Sequence, residues 1–353
     1  MALNPSGAIS LGGPTSGQSI ALELNQSATA QISLNDSNVR SLAGIASGAI
    51  VIPTDFWGKS SAFNYMYFVG GGSGPTGSTI GVTNKYSIAA DTMGTSTACP
   101  VNRNSLAGAG NLSFGVFGLG TTAPTSAVTN TTSKLTYSND SWANGTSLGT
   151  ARQSIAAAGN LTKGVWVCGS NGGTYYTETN VYTYSSDAYT NGTNLGLARS
   201  SLMAVGNSTV GYYAGGSVAP VTPQTYVDIY TWSSNGVAPG TALSPARRNG
   251  AGAGNSTIGV IAAGQAPAAS NTSEYYTYSN GTKATGGNLS LTVVSLAGAG
   301  SSVFGIFTGG SNTPAGRVAT SNKYTFSSNV VTPAASLTVG TSALSGVSAN
   351  QGI

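Results

Sequence analysis

Residues that could perform acid or base chemistry are scarce in this chain. Of its 353 residues, 9 are Asp or Glu and none is His. Three aspartates, Asp140, Asp187 and Asp228, lie at or beside Tyr-rich segments, and paired carboxylates are what glycoside hydrolysis requires. Because these segments belong to a repeat described below, we expect the three aspartates to be surface turn residues that lie far apart.

Other catalytic and metal chemistries lack their residues. Without His, a serine nucleophile has no imidazole base, and a zinc site of the usual kind has no ligands. Glu is available at Glu23, Glu178 and Glu274 only. Cys99 and Cys168 occupy non-equivalent positions, which favours buried free thiols, with a disulfide as the alternative. The sequence therefore predicts neither enzyme activity nor a metal or other cofactor.

Aromatic residues among polar ones indicate a different chemistry, the recognition of polar ligands. Tyr beside Ser and Asn gives adaptable hydrogen bonding at low entropic cost, and Trp or Tyr rings can stack on sugars. The candidate binding residues are Tyr175, Tyr176, Tyr226, Trp142, Tyr189 and Trp232. For the last three, packing between repeated units is the favoured interpretation, and stacking on sugar rings is the alternative.

A repeated sequence motif must position these side chains. It returns at intervals of about 48 residues, a period typical of stacked supersecondary units. It reads ARQSIAAAGN at 151–160, ARSSLMAVGN at 198–207 and ARRNGAGAGN at 246–255. A small-residue strand precedes each Asn, a hydrophobic strand ending in Gly-Gly or a near equivalent follows it, and a Tyr-rich strand comes later. With a closing segment, each unit predicts four short strands.

Four antiparallel strands in a unit of this length are typical of a propeller blade. The turns between Asn64 and Asn350 predict six blades. The first unit lacks a small-residue strand and the last lacks a Gly-Gly strand, so we expect the C-terminal strand to pair with 65–70 and close the ring. The predicted fold class is all-β, with a six-bladed propeller over residues 62–353 preceded by a small segment, residues 1–61.

The order of these features resembles the kelch repeat. In that family an Arg opens the small-residue strand, a Gly-Gly strand and a Tyr-bearing strand follow, and a Trp or Tyr comes last. The matching arginines are Arg103, Arg152, Arg199 and Arg247. The equivalent positions of the last two units hold Val293 and Ser342. The resemblance implies a degenerate kelch propeller with a tendency to bind, and it implies no reaction. The periodic placement of the arginines favours hydrogen bonds to carbonyls of a neighbouring blade, with a ligand site as the alternative.

Residues 1–61 do not follow the repeat. Asp36 suits an N-cap and Gly44 a stop, which predicts a helix over 37–43, and the rest reads as short strands. The wording ISLGGPTSGQSIALEL, followed by ISLNDSNVRSLAG and FWGKS, resembles the N-terminal anchor of tail-fibre and related virion proteins of tailed bacteriophages. This resemblance implies a virion protein that docks on other virion chains through residues 1–61, and a homotrimer by analogy with fibres.

The amino-acid composition excludes some classes of binding partner and cellular location. Charged residues make up 6% of the chain, and the net charge is +4. The largest cluster of basic residues is the pair Arg247-Arg248, so nucleic-acid binding is not expected. Residues 1–20 lack the basic start of a signal peptide, and no run is long enough to insert into a membrane. The many N-x-S/T triplets, such as the one at Asn160, are interpreted as turns. The expected location is the virion, after synthesis in a host cytoplasm.

Three functions stay open at this point. The first is a virion component whose propeller contacts a host surface glycan or protein, and the second is a purely structural or decoration protein. The third is an independent carbohydrate-binding kelch protein. Recognition is expected in the variable connections after the Gly-Gly strands, because loops on a rigid scaffold commonly carry binding. These connections are 71–84, 119–133, 170–180, 216–227, 264–274 and 310–322.

Overall fold

The computed structural model shows an all-β fold made of small antiparallel sheets. It describes residues 3, 8–12, 14–15, 18–24, 29, 31–43, 49–52, 65–74, 77–265, 267–312 and 316–348. Within these residues the helical segments are Ile20–Glu23 and Ser37–Ala43. None of the helices described here has the length and apolar character that crossing a bilayer requires.

Six sheets of four strands carry the repeat, and we number them 1 to 6 in the chain order of their hydrophobic strands. Small-residue strands form one edge of each sheet: Ser345–Ser348, Ala107–Gly110, Ala156–Gly159, Met203–Gly206, Ala251–Gly254 and Ala297–Gly300. Hydrophobic strands come next: Tyr65–Val69, Phe114–Gly118, Lys163–Val167, Val210–Ala214, Ile258–Gln265 and Phe304–Thr308. The third strands are Thr83–Ser87, Thr132–Thr136, Thr179–Thr183, Val227–Thr231, Ala269–Thr277 and Ser321–Thr325. The outer strands are Thr92–Thr95, Ser141–Gly145, Ala188–Asn191, Gly236–Pro239, Lys283–Thr285 and Val330–Ala334.

Sheet 1 takes its strands from both ends of this region. Ser345–Ser348 pairs antiparallel with Tyr65–Val69, with Ser348 opposite Met66 and Ser345 opposite Val69. The same strand contacts the small-residue strands of sheets 6 and 2. These contacts are close because the strands carry little beyond backbone: a Cβ added at Gly346 would overlap the carbonyl of Gly298 in sheet 6.

The residues just before the small-residue strands are joined by backbone hydrogen bonds between sheets. The N–H of Ser154 donates to the carbonyl of Ser105 at 2.9 Å, and the N–H of Ser105 donates to the carbonyl of Ala343 at 2.9 Å. The members of this set all have positive φ, and each one donates to the member in the preceding sheet: Ser105, Ser154, Ser201, Asn249, Ser295 and Ala343. We call these six residues the linked residues.

The Asn residues of the repeated sequence motif form turns, as predicted. Asn160 Oδ1 accepts the N–H groups of Thr162 at 2.9 Å and Lys163 at 3.0 Å. Its Nδ2 donates to the carbonyl of Ser208 in the next sheet at 3.2 Å. Asn207 and Asn255 repeat both features. The turn residues therefore connect sheets as well as strands, while Asn64 and Asn350 lie outside the described residues.

The core lies between neighbouring sheets. Val165 and Val167 of sheet 3, for example, share a buried cluster with Tyr213 and Trp232 of sheet 4. Cys99 and Cys168 are buried and free, in agreement with the sequence. Burial raises the pKa of Cys168 to about 11, so this thiol stays protonated at neutral pH.

The connections after the hydrophobic strands are more regular than the sequence indicated. In five sheets they contain a further two-residue hairpin, and in sheet 5 the main strands themselves extend through Gln265 and back from Ala269. The hairpins are Gly72–Ser73 with Ser78–Thr79, Thr121–Thr122 with Ala127–Val128, Ser170–Asn171 with Thr174–Tyr175, Ser217–Val218 with Thr222–Pro223, and Ser311–Asn312 with Gly316–Arg317. Two more short strands, Thr341–Ser342 and Arg103–Asn104, join the first two hairpins.

In the N-terminal segment, the predicted helix over 37–43 is present, although Gly44 lies outside the described residues. The prediction of strands for the rest is wrong at Ile20–Glu23, which is helical. Ala, Leu and Glu are strong helix formers, and this local preference decides a short segment with few sheet partners. The apolar side chains here form a buried cluster of their own: Leu3, Ile9, Ile20, Val39, Leu42 and Ala43.

Candidate functional site: a groove between sheets 2 and 3

An open groove of about 1110 Å³ lies between the outer parts of sheets 2 and 3. One wall is the connection between the two sheets, residues 147–150. The opposite wall is the segment 175–178, which leads into the third strand of sheet 3. The remaining lining residues are Asn130, Tyr189, Asn191, Gly192, Asn194 and Ala198.

Three of the predicted binding residues meet in this groove. Tyr175 ends a short hairpin opposite Ser170, and Tyr189 lies in the outer strand opposite Tyr182. The backbone of Tyr176 is held on both sides, since its N–H donates to Gly169 at 3.0 Å and its carbonyl accepts from Arg199 at 3.3 Å. All three side chains are half-buried. The groove therefore presents aromatic surface on a fixed backbone.

The other three predicted residues lie elsewhere. Tyr226 is 56% exposed and belongs to the corresponding segment of sheet 4. Trp142 is half-buried, with Nε1 donating to the carbonyl of Thr97 at 2.8 Å, so it links sheet 2 to the segment after sheet 1. The prediction that Trp232 binds a ligand is wrong. The residue is 2% exposed and its Nε1 donates to the carbonyl of Asn207 at 2.9 Å, so neither ring face is open to a ligand.

Amide groups line the groove beside the tyrosines. Asn130 Nδ2 donates to the carbonyl of Gly149 at 3.0 Å, and Asn194 Oδ1 accepts the N–H of Thr179 at 3.2 Å. Asn191 Oδ1 accepts from Asn180 Nδ2 at 3.3 Å. These bonds fix the amides, and a fixed amide can offer its further donors or acceptors to a ligand without losing much conformational entropy.

Glu178 is the charged lining residue, and it was not among the predicted binding residues. Its Oε1 accepts the N–H of Thr150 at 3.0 Å and Asn180 Nδ2 at 3.0 Å. Its Oε2 lies 2.7 Å from Arg152 Nη1, and Arg152 Nη2 donates to Asn180 Oδ1 at 2.7 Å. The carboxylate is thus anchored by sheet 3 and by the connection that leads into it from sheet 2.

These contacts keep Glu178 ionised. Partial burial by itself raises the pKa of the carboxyl, but the hydrogen bonds from Thr150 and Asn180 and the charge of Arg152 outweigh it and lower the pKa to about 2. At neutral pH the group can accept hydrogen bonds and has no proton to donate. It suits the recognition of hydroxyl groups better than general acid catalysis.

The arginines of the repeat are buried, and their partners differ from the prediction. The expected partners were carbonyls of a neighbouring blade, whereas each guanidinium bonds within its own sheet. Arg103 Nη1 donates to the carbonyl of Thr131 at 2.8 Å, and Arg199 Nη1 to those of Gly215 at 2.7 Å and Tyr226 at 2.9 Å. The contact with the preceding sheet is made by the Arg backbone instead of the side chain: the carbonyl of Arg199 accepts the N–H of Gly169 at 2.8 Å.

The three aspartates considered for glycoside hydrolysis each have their own partners. Asp140 pairs with Lys85 of sheet 1 at 2.8 Å, and Asp187 with Lys134 of sheet 2 at 2.7 Å. Asp228 is not the surface turn residue that was expected, because it lies buried in the third strand of sheet 4 and pairs with Arg199. The first two therefore tie neighbouring sheets together. Within the described chain, no cluster of three or more acidic or Cys side chains is arranged to hold a metal ion.

Comparison with known proteins gives the fold alone. No protein-family model matches the chain, and no curated protein matches it by sequence. Among solved structures, that of YjhT, a protein of the kelch or β-propeller type, aligns with a TM-score of 0.58 and 11% identity. The alignment covers 70% of this chain and 88% of the YjhT chain. The chain therefore has an all-β, multi-sheet fold similar to that of a propeller protein.

Proposed function

We propose that this chain is a six-bladed, kelch-like propeller whose groove between sheets 2 and 3 binds a glycan on a host cell surface. The six four-stranded sheets support the blade count. Ring closure is supported by the pairing of Ser345–Ser348 with Tyr65–Val69 and by the hydrogen bonds among the linked residues. In this proposal the small-residue strands surround the axis.

The observation that carries the binding function is the convergence of Tyr175, Tyr176 and Tyr189 with anchored amides in one groove. Aromatic rings offer their faces to the apolar faces of sugar rings, and amides and carboxylates bond sugar hydroxyls. Glu178, ionised above a pH of about 2, adds a strong hydrogen-bond acceptor. This set of groups serves binding without a reaction.

The proposed place of the protein is the virion of a tailed bacteriophage, as a tail fibre or tail-associated protein. The resemblance of residues 1–61 to the anchor of tail-fibre proteins supports this placement, and so does the low charge of the chain. The separate apolar cluster of the N-terminal segment suits a small docking unit. Mass spectrometry of purified particles tests the placement, since absence of the chain from them would leave a free-standing carbohydrate-binding protein.

A purely structural or decoration protein is the second candidate, and the low charge of the chain fits it equally. An electron-microscopy map of the particle separates the two. An open groove facing solvent favours host recognition, and a groove filled by a neighbouring virion chain favours the structural role. The same map would count the copies and test the homotrimer expected by analogy with fibres.

A glycan array with the purified full-length protein tests binding, with Tyr176→Ala as the groove variant. Only the side chain of Tyr176 is lost, because its anchoring bonds are made by the backbone. We expect at least about tenfold weaker binding, the equivalent of about 1.4 kcal/mol. Tyr226→Ala, which removes an exposed tyrosine outside the groove, should stay within about twofold of the wild type. Equal effects of the two variants would refute the groove as the site.

A further inference from the structure

We infer that the groove takes neutral, hydroxyl-rich saccharides and discriminates against saccharides that carry a carboxylate. The inference rests on the proposed glycan-binding function and adds the charge class of the ligand. It follows from the position of one charge pair relative to the groove.

Glu178 is the charged member of the lining residues that the structure describes. Its side chain is 21% exposed, whereas that of its partner Arg152 is 0% exposed. The guanidinium therefore lies behind the carboxylate as seen from the groove. A ligand meets the negative charge first, and the positive charge is screened from direct contact.

The carboxylate cannot turn away from a ligand. One oxygen is held by Thr150 and Asn180 and the other by Arg152. A carboxylate offers about four lone-pair sites, so sites remain for ligand hydroxyl groups after these contacts. Hydroxyl groups donate to such an oxygen, whereas a second carboxylate repels it and has no proton to share.

The negative charge in the groove is particular to sheet 3. The carbonyls of Glu178 and Tyr226 accept equivalent N–H groups, from Cys168 at 2.9 Å and from Gly215 at 2.7 Å, so the two residues occupy the same place in the repeat. In sheet 4 a neutral tyrosine stands there, and the carboxylate that pairs with the arginine is the buried Asp228. Position in the repeat therefore does not require an acid at residue 178. In sheet 3 the acid that balances Arg152 stands at the groove, where it can also select a ligand.

The test uses the full-length protein and pairs of tetrasaccharides that differ only at C6: galactose with galacturonate, glucose with glucuronate, and mannose with mannuronate. Affinities are measured by titration calorimetry at pH 7 and low ionic strength. For the pair that binds, we expect the neutral member to bind at least about tenfold more tightly, and the preference to shrink in high salt.

Glu178→Gln is the matched variant, because its amide oxygen can still accept the N–H of Thr150 while the charge is gone. We expect the preference for the neutral member to fall below about threefold, mainly through tighter binding of the uronate. Thermal unfolding checks that the variant is folded. Asp187→Asn is a control, because it removes a carboxylate that is not a lining residue and that pairs with Lys134 at 2.7 Å. It should leave the preference unchanged.

The outcomes separate the inference from the function on which it rests. If the wild type binds a uronate tetramer as tightly as its neutral counterpart, or if Glu178→Gln keeps the full preference, the charge selection is refuted and glycan binding stands. If no tetramer of either class binds, the proposed binding function fails, and the inference fails with it.

Discussion

The arginine–carboxylate pair of sheet 3 differs from those of sheets 4 and 5. In sheets 4 and 5 the acids are Asp228 and Glu274, which are 7% and 6% exposed. Both lie in the third strand of their sheet and face the hydrophobic strand, opposite Tyr213 and Ile261 respectively. In sheet 3 that position holds Asn180, opposite Trp166, and the acid is Glu178, two residues earlier and at the groove.

Under the proposed function, this difference is how the repeat acquires a binding site without a new fold. The guanidinium still needs an oxygen at the strand position, and Asn180 Oδ1 supplies one at 2.7 Å. The countercharge then comes from a residue that also faces solvent. A pair that is purely structural in sheets 4 and 5 becomes, in sheet 3, part of a surface that can meet a ligand.

The largest expected effect is on a buried pair. Arg199→Ala should lower the free energy of unfolding by about 3–5 kcal/mol, because it leaves Asp228 and the carbonyls of Gly215 and Tyr226 without their buried partner. Chemical denaturation measures the loss. Arg248→Ala removes a half-buried arginine bonded to Gln265 Oε1 at 3.0 Å and should cost under about 1 kcal/mol. Similar losses in both variants would contradict a structural role for the buried pair.

The buried carboxylate Glu274 and the groove carboxylate Glu178 should differ in how much their loss lowers the free energy of unfolding. Glu274 pairs with Arg247 and with Lys283 and is 6% exposed, so Glu274→Gln should cost about 2–3 kcal/mol. Glu178→Gln should cost only about 1 kcal/mol, because its site is partly open to water and keeps its neutral hydrogen bonds. A larger loss at Glu178 than at Glu274 would reverse the comparison.

Gly149→Ala tests the packing of the groove wall. An added Cβ would overlap Glu178 Oε1 and lie 2.8 Å from Asn180 Nδ2, so the carboxylate must move. We expect a loss of about 1–2 kcal/mol in unfolding free energy, together with weaker glycan binding. Gly94→Ala is the control, since a Cβ there meets no atom within 4 Å, and it should change neither quantity by much. Equal results would mean that Glu178 is not held as described.

The smallest effect is the pH dependence of the Glu178 contribution. Its pKa is lowered from 4.5 to about 2 in the folded protein, so ionised Glu178 contributes stability above a pH of about 4.5. That contribution is lost as the pH falls towards 2, because the unfolded chain then binds the proton first. The stability difference between wild type and Glu178→Gln, measured by urea denaturation, should be constant from pH 7 to 5 and shrink from pH 4 to 2.5. A difference that grows in acid would contradict the lowered pKa.

The repeat made much of the sheet architecture predictable from sequence, and the exceptions have physical reasons. The Asn turns and the Tyr-bearing strands lie where the pattern indicated, because turn chemistry and strand alternation act locally. Trp232 was a candidate ligand-stacking residue, but the packing interpretation that was favoured for it is the one that holds. Trp232 occupies the position of Tyr184 in the preceding sheet, where both side chains are buried between sheets, and aligning the repeats would have shown it.

The groove itself was only partly predictable. Tyr175, Tyr176 and Tyr189 were identified by residue type, but their convergence depends on how the hairpin and the outer strand of sheet 3 lie beside the connection 147–150, which a sequence pattern does not give. Glu178 was missed because its contacts, to Thr150 and Arg152, come from the preceding connection. The available signal was the two-residue offset of this acid from the acids of sheets 4 and 5.

The pairing of Ser345–Ser348 with Tyr65–Val69 also has a consequence for synthesis. On the ribosome, the hydrophobic strand of sheet 1 emerges early, and its edge partner emerges only after the other five sheets. Until then a strand with four buried residues out of five has one open edge. A nascent chain in that state is exposed to mispairing with its neighbours on the same messenger RNA, so slow translation or a chaperone should matter more for this protein than its simple repeat suggests.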